Sequence, residues 1–319
     1  MKKNILITGA GGYIGGRLIN HLKANNNYNI FIAHRHVSSY QTDTRLLRYI
    51  DWNENSSIDT ATKNIDTIVH LAGLNAKDSE EKPIEAVNVN IVNTIKLLEF
   101  LKKNQCTQLI YLSTSHVYGS SLINNVVENK KTLPSGVYGI THKCAEDFIV
   151  HAANKGFINA RILRLSNSFG PPSRIIKDPW SLVINNFFLQ ACLNNEIIIK
   201  SNPNILRDYI PMSETCRAID HFINLESTMS SRCVINLSSG LVLSLKKLAI
   251  TISKYFLDYH GIPISIKYLT RAEKVSRFNL DNELLNGTGF IVDSNFDKEF
   301  HLLFNHIQEN KSLLNEYLK

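Results

Sequence analysis

A short apolar strand that runs directly into three regularly spaced glycines constrains this chain more than any other feature. Residues 5–15 read ILITGAGGYIG, with Gly9, Gly12 and Gly15 three residues apart. An amphipathic stretch over residues 17–24 follows and predicts a helix. A tight turn at the first glycine, a close backbone approach at the second and close helix–strand packing at the third suit a dinucleotide pyrophosphate at a helix N-terminus. We therefore predict a dinucleotide-binding turn here.

Apolar strand-like runs alternate with helical patterns through the first half of the 319 residues. Such alternation is typical of an α/β fold in which helices cover both faces of a doubly wound, Rossmann-type parallel sheet. The predicted strands lie at residues 5–8, 30–33, 67–71, 109–113 and 160–165, and the helices between them include residues 85–103 and 138–155.

The alternation ends near residue 170, where Pro171-Pro172 opens a segment of helices and short extended pieces. The segment closes with a helical pattern over residues 297–317. We therefore predict a dinucleotide-binding Rossmann domain over residues 1–168. Residues 169–319 are predicted to form mainly a smaller, substrate-binding lobe, from which the chain can cross back into the first sheet.

Charge and composition exclude several other classes of protein. The net charge is +7, but the Lys and Arg residues are dispersed, so we do not expect nucleic-acid binding. No apolar run reaches the ~18 residues that a membrane span needs, and the N-terminal residues lack a signal-peptide pattern. We therefore expect a cytoplasmic chain without a membrane partner. The five cysteines are widely scattered, which favours reduced thiols over disulfides or a metal site.

The residues after the second predicted strand bear on the choice of dinucleotide. In this fold an acid at that position bonds the adenine-ribose 2′-hydroxyl of NAD, whereas a basic residue accommodates the 2′-phosphate of NADP. Here the strand ends in His34, Arg35 and His36, without an acid. Arg35 offers a planar, bidentate fork for a phosphate. We therefore expect NADP, with NAD as the alternative if His34 and Arg35 are solvated loop residues.

Two polar segments carry side chains suited to carbonyl chemistry. The first, LSTSHVYG at residues 112–119, ends a predicted strand, and the second begins a helix with Tyr138. A strand-end hydroxyl and a helix-borne tyrosine can converge on one carbonyl. The tyrosine can then exchange a proton with the substrate oxygen while a hydride passes to or from nicotinamide. A phenol with an unperturbed pKa of about 10 needs a nearby cation to do this at neutral pH.

Taken in order along the chain, the motifs resemble those of the extended short-chain dehydrogenase/reductases, in the NAD(P)-dependent nucleotide-sugar epimerase/dehydratase family. The resemblance covers nearly the whole length. Asn93 replaces the family's usual Gly, and the last matching segment lacks its Lys. The matching segments are TGAGGYIG at residues 8–15, Asp51-Trp52, DTIVHLAG at 66–73, NIVNT at 90–94, RLSNSFGP at 164–171, RDYI at 207–210, and DNELL at 281–285 followed by Gly289-Phe290.

The resemblance implies roles for individual residues. It implies Thr114 and Tyr138 as catalytic residues, and a nucleotide-sugar substrate whose phosphate Arg207 would hold. It also implies a homodimer formed through residues 85–103 and 138–155, and a role in making surface polysaccharide. Further substrate contacts are implied at Ser115, His116, Asn167 and Asn186, and cofactor contacts at Gly9, Gly12, Tyr13, Ile14, Gly15, Asp51, Trp52, Leu71, Ala72, Gly73 and Asn90.

One departure from the family pattern concerns the helix of the catalytic tyrosine. The family's YxxxK motif places Lys four residues after Tyr, but here that position is His142, and Lys143 follows it. On a helix, position i+4 shares the face of Tyr138, whereas i+5 points well away. We therefore predict that His142 takes the place of the Lys. An imidazole with an unperturbed pKa near 6.5 is only partly charged at neutral pH, so we expect weaker activity or an unusual pH profile.

The side chains after Thr114 separate the reactions of this family. Sugar 4,6-dehydratases typically have acidic residues there, and this chain has Ser115 and His116, so dehydration is disfavoured. The absence of an acid after the second strand then favours an NDP-4-keto-6-deoxyhexose reductase that consumes a reduced dinucleotide. The alternatives are an NDP-hexose 4-epimerase that keeps NAD tightly bound, and a dinucleotide-binding protein whose catalysis is weakened or lost because His142 replaces the Lys.

Overall fold

The computed structural model describes residues 2–25, 27–34, 46–104, 106, 108–119, 124–225 and 233–318. The strands in these residues are β1 (Lys3–Thr8), β2 (Tyr28–His34), β3 (Leu47–Tyr49), β4 (Thr67–His70), β5 (Gln108–Thr114), β6 (Asn124–Val126), β7 (Asn159–Leu165), β8 (Asn167–Phe169), β9 (Glu196–Ile199), β10 (Leu206–Pro211), β11 (Val234–Leu237), β12 (Val242–Ser244), β13 (Ser265–Tyr268) and β14 (Phe278–Leu280).

The α-helices of the same residues are α1 (Tyr13–Asn25), α2 (Asn55–Thr62), α3 (Ala76–Glu81), α4 (Pro83–Ala86), α5 (Asn93–Lys103), α6 (Val137–Asn154), α7 (Val183–Asn194), α8 (Met212–Asn224), α9 (Leu245–His260), α10 (Glu283–Gly287), α11 (Asp297–Glu309) and α12 (Lys311–Leu314). A π-helical segment, Val87–Val92, joins α4 to α5, and short 3-10 turns cover Ser115–Tyr118, Asp178–Ser181 and Asn315–Leu318.

Seven parallel strands form the central sheet, in the order β11-β7-β5-β4-β1-β2-β3. After β1 the chain adds β2 and β3 on one side of that strand, and it later adds β4 on the other side. The loops after β1 and β4 therefore lie side by side at the switch point where sheets of this kind bind ligands. This sheet confirms the predicted doubly wound α/β fold.

Helices cover both faces of the sheet, and the alternation of side chains along β1 shows how. Ile5 and Ile7 face a core that includes Leu18 of α1 and Phe222 of α8. Leu6, between them, faces a second core that also contains residues of α2, α5 and α6. Because successive side chains of a strand point to opposite faces, an uninterrupted apolar run is what a strand buried on both sides requires.

The sequence missed or blurred some elements. The short strand β3 was not predicted, although it extends the sheet beside β2. The helix predicted over residues 85–103 is interrupted by the π-helical segment, and the predicted helical tail breaks at Asn310, between α11 and α12. None of the helices in the described residues is both long and apolar enough to cross a bilayer.

The second half of the chain builds a separate apolar core and returns to the first sheet. Buried residues of α7, α9 and α11 form this core, together with side chains from β9 and β10. Strands β12, β10 and β8 form a small sheet beside it. Strand β11 nevertheless pairs with β7 in the central sheet, so residues 234–237 cross back. The division into domains after residue 168 stays a prediction.

Candidate active site

The glycine turn after β1 packs against the loop after β4. Gly9 has a positive φ of 66°, and a Cβ there would lie 2.6 Å from the backbone nitrogen of Ala72. A Cβ on Gly15 would lie 2.3 Å from the carbonyl oxygen of Gly9, and the Gly12 N–H donates to that oxygen over 2.9 Å. Only glycines leave this space open at the N-terminus of α1, whose N–H groups attract an anion. The residues present therefore fit a dinucleotide pyrophosphate.

Residues from the second half of the chain close over this turn. The hydroxyl of Tyr13 donates to the carbonyl of Gly170 over 2.7 Å, and Arg174 donates to the carbonyl of Gly11 over 2.5 Å. Ile14 packs against the core beneath the turn. The side chains of Tyr13 and Ile14 are thus occupied by protein contacts. If these two residues contact the cofactor as predicted, they do so through their backbone N–H groups in the first turn of α1.

The adenine end of the predicted cofactor site lies where β2 and β3 end. His34 is 6% exposed, and its ring packs edge-on against Tyr49 with centroids 6.1 Å apart. Burial of this ring leaves it poorly placed for the 2′-phosphate contact that the NADP expectation needs. Arg35 lies outside the described residues. Asp51 and Trp52 come shortly after β3 in the chain and are half-buried.

The loop after β4, residues 71–73, is held in place by Asn90. This side chain is 1% exposed; its Oδ1 accepts from the N–H of Leu74 and its Nδ2 donates to the hydroxyl of Thr141, both over 2.9 Å. Leu71, Ala72 and Gly73 stay beside the glycine turn, as a cofactor role requires. Asn90 itself braces the loop against α6, so the predicted contact with the cofactor would have to replace one of these bonds.

The three predicted catalytic residues come together where β5 ends and α6 begins. The hydroxyl of Thr114 interacts with that of Tyr138, and the Tyr138 and His142 rings meet edge to face with centroids 4.5 Å apart. Burial raises the pKa of Tyr138, and the hydrogen bond with Thr114 offsets only part of that effect. Tyr138 therefore lies beside Thr114 as expected for a proton-exchanging tyrosine, but its pKa is raised rather than lowered.

His142 is neutral in this environment. It is 6% exposed, and its Nδ1 lies 2.8 Å from the hydroxyl of Tyr111 on β5. Burial lowers the pKa of His142 to about 3, with smaller contributions from His70 and His116 in the same direction. The partial charge expected from an unperturbed imidazole is therefore wrong for this position.

Lys143 does not take over as the cation. Its Nζ pairs with the exposed carboxylate of Asp147, one turn further along α6. The expectation that position i+5 points away from Tyr138 is confirmed by this contact.

A cleft of about 270 Å³ opens beside Tyr138. Four of the five predicted substrate residues line it: Ser115, His116, Asn167 and Arg207. His116 lies in the wall next to Tyr138, with ring centroids 5.7 Å apart. Burial first, and the charge of Arg207 second, lower the pKa of His116. The cleft thus joins the tyrosine to a cation suited to a phosphate.

The fifth predicted substrate residue, Asn186, does not line this cleft. It lies on α7, where its Nδ2 donates to the carbonyl of Trp180 over 3.1 Å and its Oδ1 accepts from Gln190 over 2.5 Å. These contacts hold the start of the helix. The prediction of a substrate contact at Asn186 therefore gains no support from the geometry.

Sequence reasoning missed other residues of the cleft. Glu80, Ser166, Asp208 and Phe278 line it and come from distant parts of the chain. Asp208 is 1% exposed, and burial raises its pKa to about 6, although hydrogen bonds from neighbouring groups oppose the shift. Its position directly after Arg207 in the RDYI segment was the available signal. Ser166 likewise lies within the RLSNSFGP segment, next to Asn167, whereas Glu80 and Phe278 lie in no matching segment.

A buried ionic cluster lies one turn of α6 beyond His142. The carboxylate of Glu146 accepts from Arg164 over 2.7 Å and from the hydroxyl of Ser113 over 2.6 Å. Arg164 also donates to the hydroxyl of Tyr118, which donates to Asn236 over 2.6 Å. Arg164 begins one of the matching family segments, and the cluster holds β5, β7 and α6 together rather than facing the cleft.

Comparison with known proteins agrees with this geometry. Residues 5–238 match the model of the NAD dependent epimerase/dehydratase family. The chain is 24% identical over 318 residues to a protein of Methanocaldococcus jannaschii named "Putative UDP-glucose 4-epimerase", with 96% of this chain and 99% of that one covered.

Solved structures share the fold. A UDP-N-acetylglucosamine 4-epimerase from Methanobrevibacter ruminantium, in complex with UDP-N-acetylmuramic acid, superposes with a TM-score of 0.80 at 24% identity, covering 97% of this chain and 100% of that one. A UDP-glucuronic acid 4-epimerase from Bacillus cereus, in complex with UDP-glucuronic acid and NAD, gives 0.75 at 21% identity, covering 96% and 99%.

The chain belongs to the NAD dependent epimerase/dehydratase family. It is accordingly an enzyme, and the resemblance seen in its motifs is confirmed.

Proposed function

We propose that this enzyme is a nucleoside-diphosphate-hexose 4-epimerase that works with bound NAD. The observation that carries the proposal is one continuous site. The glycine turn and the loop at residues 71–73 lead to Thr114 and Tyr138, and Tyr138 opens onto the cleft that contains Arg207. Dinucleotide, proton-exchanging tyrosine and a phosphate-binding cation are the parts that oxidation at a sugar carbon needs.

The names of the relatives support the epimerase better than the 4-keto-6-deoxyhexose reductase that the sequence favoured. The absence of dehydratase acids after Thr114 does not separate these two reactions, because neither needs them. The argument for a reductase then rested on NADP, and so on His34 and Arg35. His34 is buried against Tyr49 and so adds no support for NADP, and the neighbouring structure described above that holds a dinucleotide holds NAD.

The residues of the chain divide the work as follows. The glycine turn and α1 would hold the pyrophosphate of the dinucleotide, with residues 71–73 beside it. NAD, when bound, would supply reversible hydride transfer at C4, and the 4-keto sugar must turn over in the cleft so that the hydride returns to its other face. Tyr138 removes the proton from the O4 hydroxyl and gives it back, with Thr114 bonding the same oxygen. Arg207 holds the diphosphate, and residues from both halves of the chain, among them His116 and Asn167, line the cleft that receives the sugar.

Interconversion of C4 epimers tests the proposal. Purified enzyme with NAD is given UDP-glucose, UDP-galactose or UDP-N-acetylglucosamine, and the products are separated chromatographically. We expect interconversion without net NADH formation, and retention of the C4 hydrogen in D2O because the same hydride returns. Activity should rise with pH above neutrality, since Tyr138 must lose its proton to accept another and burial raises its pKa.

Tyr138→Phe should lower the rate roughly 10²–10⁴-fold, because the proton acceptor is lost. Tyr259→Phe, an exposed tyrosine on α9, is the matched control and should keep wild-type turnover. Consumption of NADPH with dTDP-4-keto-6-deoxyglucose, without interconversion of any of the three sugars, would instead establish the reductase.

We also propose a homodimer through α6 and the helical segment from α4 to α5. Ile84 is 75% exposed, and Val87, Ile140 and Phe148 on these elements are exposed as well. Apolar side chains in this number on neighbouring helices favour association. A solution mass twice that of one chain, measured by light scattering, is the expected result, and a mass of one chain would contradict it.

A further inference from the structure

We propose that Tyr111 is a positioning residue for the reaction proposed above. Its hydroxyl donates to Nδ1 of His142 and so fixes the neutral imidazole with its one N–H on Nε2, facing residues 71–73. The inference rests on the proposed function for its role in catalysis. The hydrogen-bond arrangement itself can be measured without any turnover.

The contact is short and enclosed. Tyr111 is 2% exposed on β5 and His142 is 6% exposed on α6, and the hydroxyl lies 2.8 Å from Nδ1. Among the described residues, Nδ1 is the one hydrogen-bond partner of this hydroxyl. The other ring nitrogen, Nε2, lies 3.8 Å from the position that a Cβ on Gly73 would take.

Counting protons decides the direction of the bond. A buried phenol needs an acceptor for its O–H, and an unpaired buried donor is costly. If Nδ1 carried the proton, both groups would offer a hydrogen and the phenol O–H would have no acceptor among the described residues. If Nδ1 accepts, the phenol is satisfied and a neutral imidazole must carry its proton on Nε2.

The surroundings keep the imidazole neutral. His70 on β4, His116 after β5 and Tyr138 on α6 face it, while Glu146 and Cys144 on α6 act on the Tyr111 hydroxyl. His70 is bracketed by hydroxyls, with Thr8 at 2.7 Å from Nδ1 and Thr94 at 3.1 Å from Nε2. In the family pattern a lysine cation stands at the position of His142. Here a neutral, oriented N–H donor takes its place, and Tyr111 sets the orientation.

Nitrogen NMR on histidine-labelled protein tests this directly. The chain has 11 histidines, so His142→Gln identifies the signals of His142 by their loss. We expect the wild-type signals at pH 7 to be those of a neutral ring with hydrogen on Nε2. A ring with hydrogen on Nδ1, or a charged ring, would overturn the proposal, and this measurement needs no variant of Tyr111.

Tyr111→Phe removes the hydroxyl and should convert His142 into a mixture of the two neutral forms. Tyr255→Phe is a matched control, because the Tyr255 hydroxyl bonds Nδ1 of His301 over 2.5 Å in the apolar core of the second half of the chain. That variant loses the same kind of bond and should leave the His142 signals unchanged. Unchanged His142 signals in Tyr111→Phe would contradict the proposal.

Turnover of the nucleotide sugars gives a second readout. Tyr111→Phe should lower kcat about tenfold with little change in KM, which corresponds to one lost neutral hydrogen bond. In a His142→Lys background, where no imidazole remains to orient, the same substitution should change kcat by less than about twofold. An equal loss in both backgrounds would show that Tyr111 acts through structure alone and would overturn its positioning role.

Discussion

Two side chains on the same face of α6, one turn apart, sit in opposite electrostatic surroundings. Glu146 lies in an ionic cluster, with Arg164 and the hydroxyl of Ser113 bonded to its carboxylate. His142 lies in a neutral cluster, bonded to the hydroxyl of Tyr111 and packed against Tyr138. Both side chains are buried, at 1% and 6% exposure respectively.

The difference shows what a buried charge needs. Burial alone would lower the pKa of Arg164. The hydrogen bonds and the charge of Glu146 raise this pKa by more than burial lowers it, so the guanidinium stays charged. No carboxylate is bonded to His142 within the described residues, and burial lowers its pKa to about 3. A charge is retained where a partner replaces water, and is lost where none does. The end of α6 that carries Tyr138 is the uncharged one.

The largest effect that we expect from the neutral cluster is a loss of unfolding free energy as the pH is lowered. The unfolded chain binds protons at His142 and His70 below about pH 6.5, whereas the folded chain binds them only near pH 3 and 4. The stability that these two histidines contribute is therefore fully present above pH 6.5. It falls as the pH drops from there toward the folded-state pKa values, by about 1.4 kcal/mol per pH unit for each histidine. Denaturant unfolding at pH 7 and pH 5 measures it.

His142→Gln keeps a group that can accept from Tyr111 but does not titrate. Its unfolding free energy should fall less between pH 7 and pH 5 than that of the wild type. Parallel pH dependences for the two proteins would show that His142 is protonated in the folded state.

The second largest effect is expected when the cation of the ionic cluster is removed. Arg164→Met should cost roughly 3–5 kcal/mol of unfolding free energy, because it leaves the Glu146 carboxylate buried without its partner. Denaturant unfolding at pH 7 gives the value.

Arg161→Met is the matched control on the same strand. Arg161 is 5% exposed and donates to the side chain of Asn159 and the carbonyl of Ala160, with no carboxylate bonded to it in the described part of the chain. Its loss should be clearly smaller. Equal losses would mean that burial of any arginine on β7, rather than the ion pair, sets the cost.

The smallest effect is expected at Lys143. Lys143→Ala removes an i,i+4 pair with exposed Asp147, worth about 0.3–0.5 kcal/mol on a helix surface. Turnover should stay within about twofold of wild type, since the side chain does not face Tyr138. A loss of turnover comparable to that of Tyr138→Phe would show that Lys143 reaches the site after all.

Local patterns were sufficient wherever a function depends on spacing along one element. The glycine turn was predicted because three positions of one strand–turn–helix unit must lack side chains, and the structure shows the close contacts that explain it. The juxtaposition of Tyr138 and His142 was predicted because i and i+4 share a helix face. Five of the seven strands of the central sheet were predicted because each is a largely apolar run, whereas the edge strands β3 and β11 were not predicted.

Residues that meet only through the fold were not predicted. Tyr111 and His142 are 31 positions apart, and nothing in either segment identifies the other as its partner. Asn186 was predicted to bind substrate, but its helix turns it toward Trp180 and Gln190. The partial charge expected on His142 was wrong because an unperturbed pKa assumes water, which the packing of β5 against α6 removes.

The α/β fold class, the family and the candidate tyrosine, Tyr138, were therefore readable from the chain alone, because they depend on periodicity and on short, contiguous motifs. The charge of His142, the bracing of Asn90 and the closing of residues 170–174 over the glycine turn were decided by tertiary structure. Each of these depends on which groups are brought within hydrogen-bond distance and on how much water remains between them. Those two quantities set the free-energy cost of burying a charge and decide which group donates the proton in a hydrogen bond.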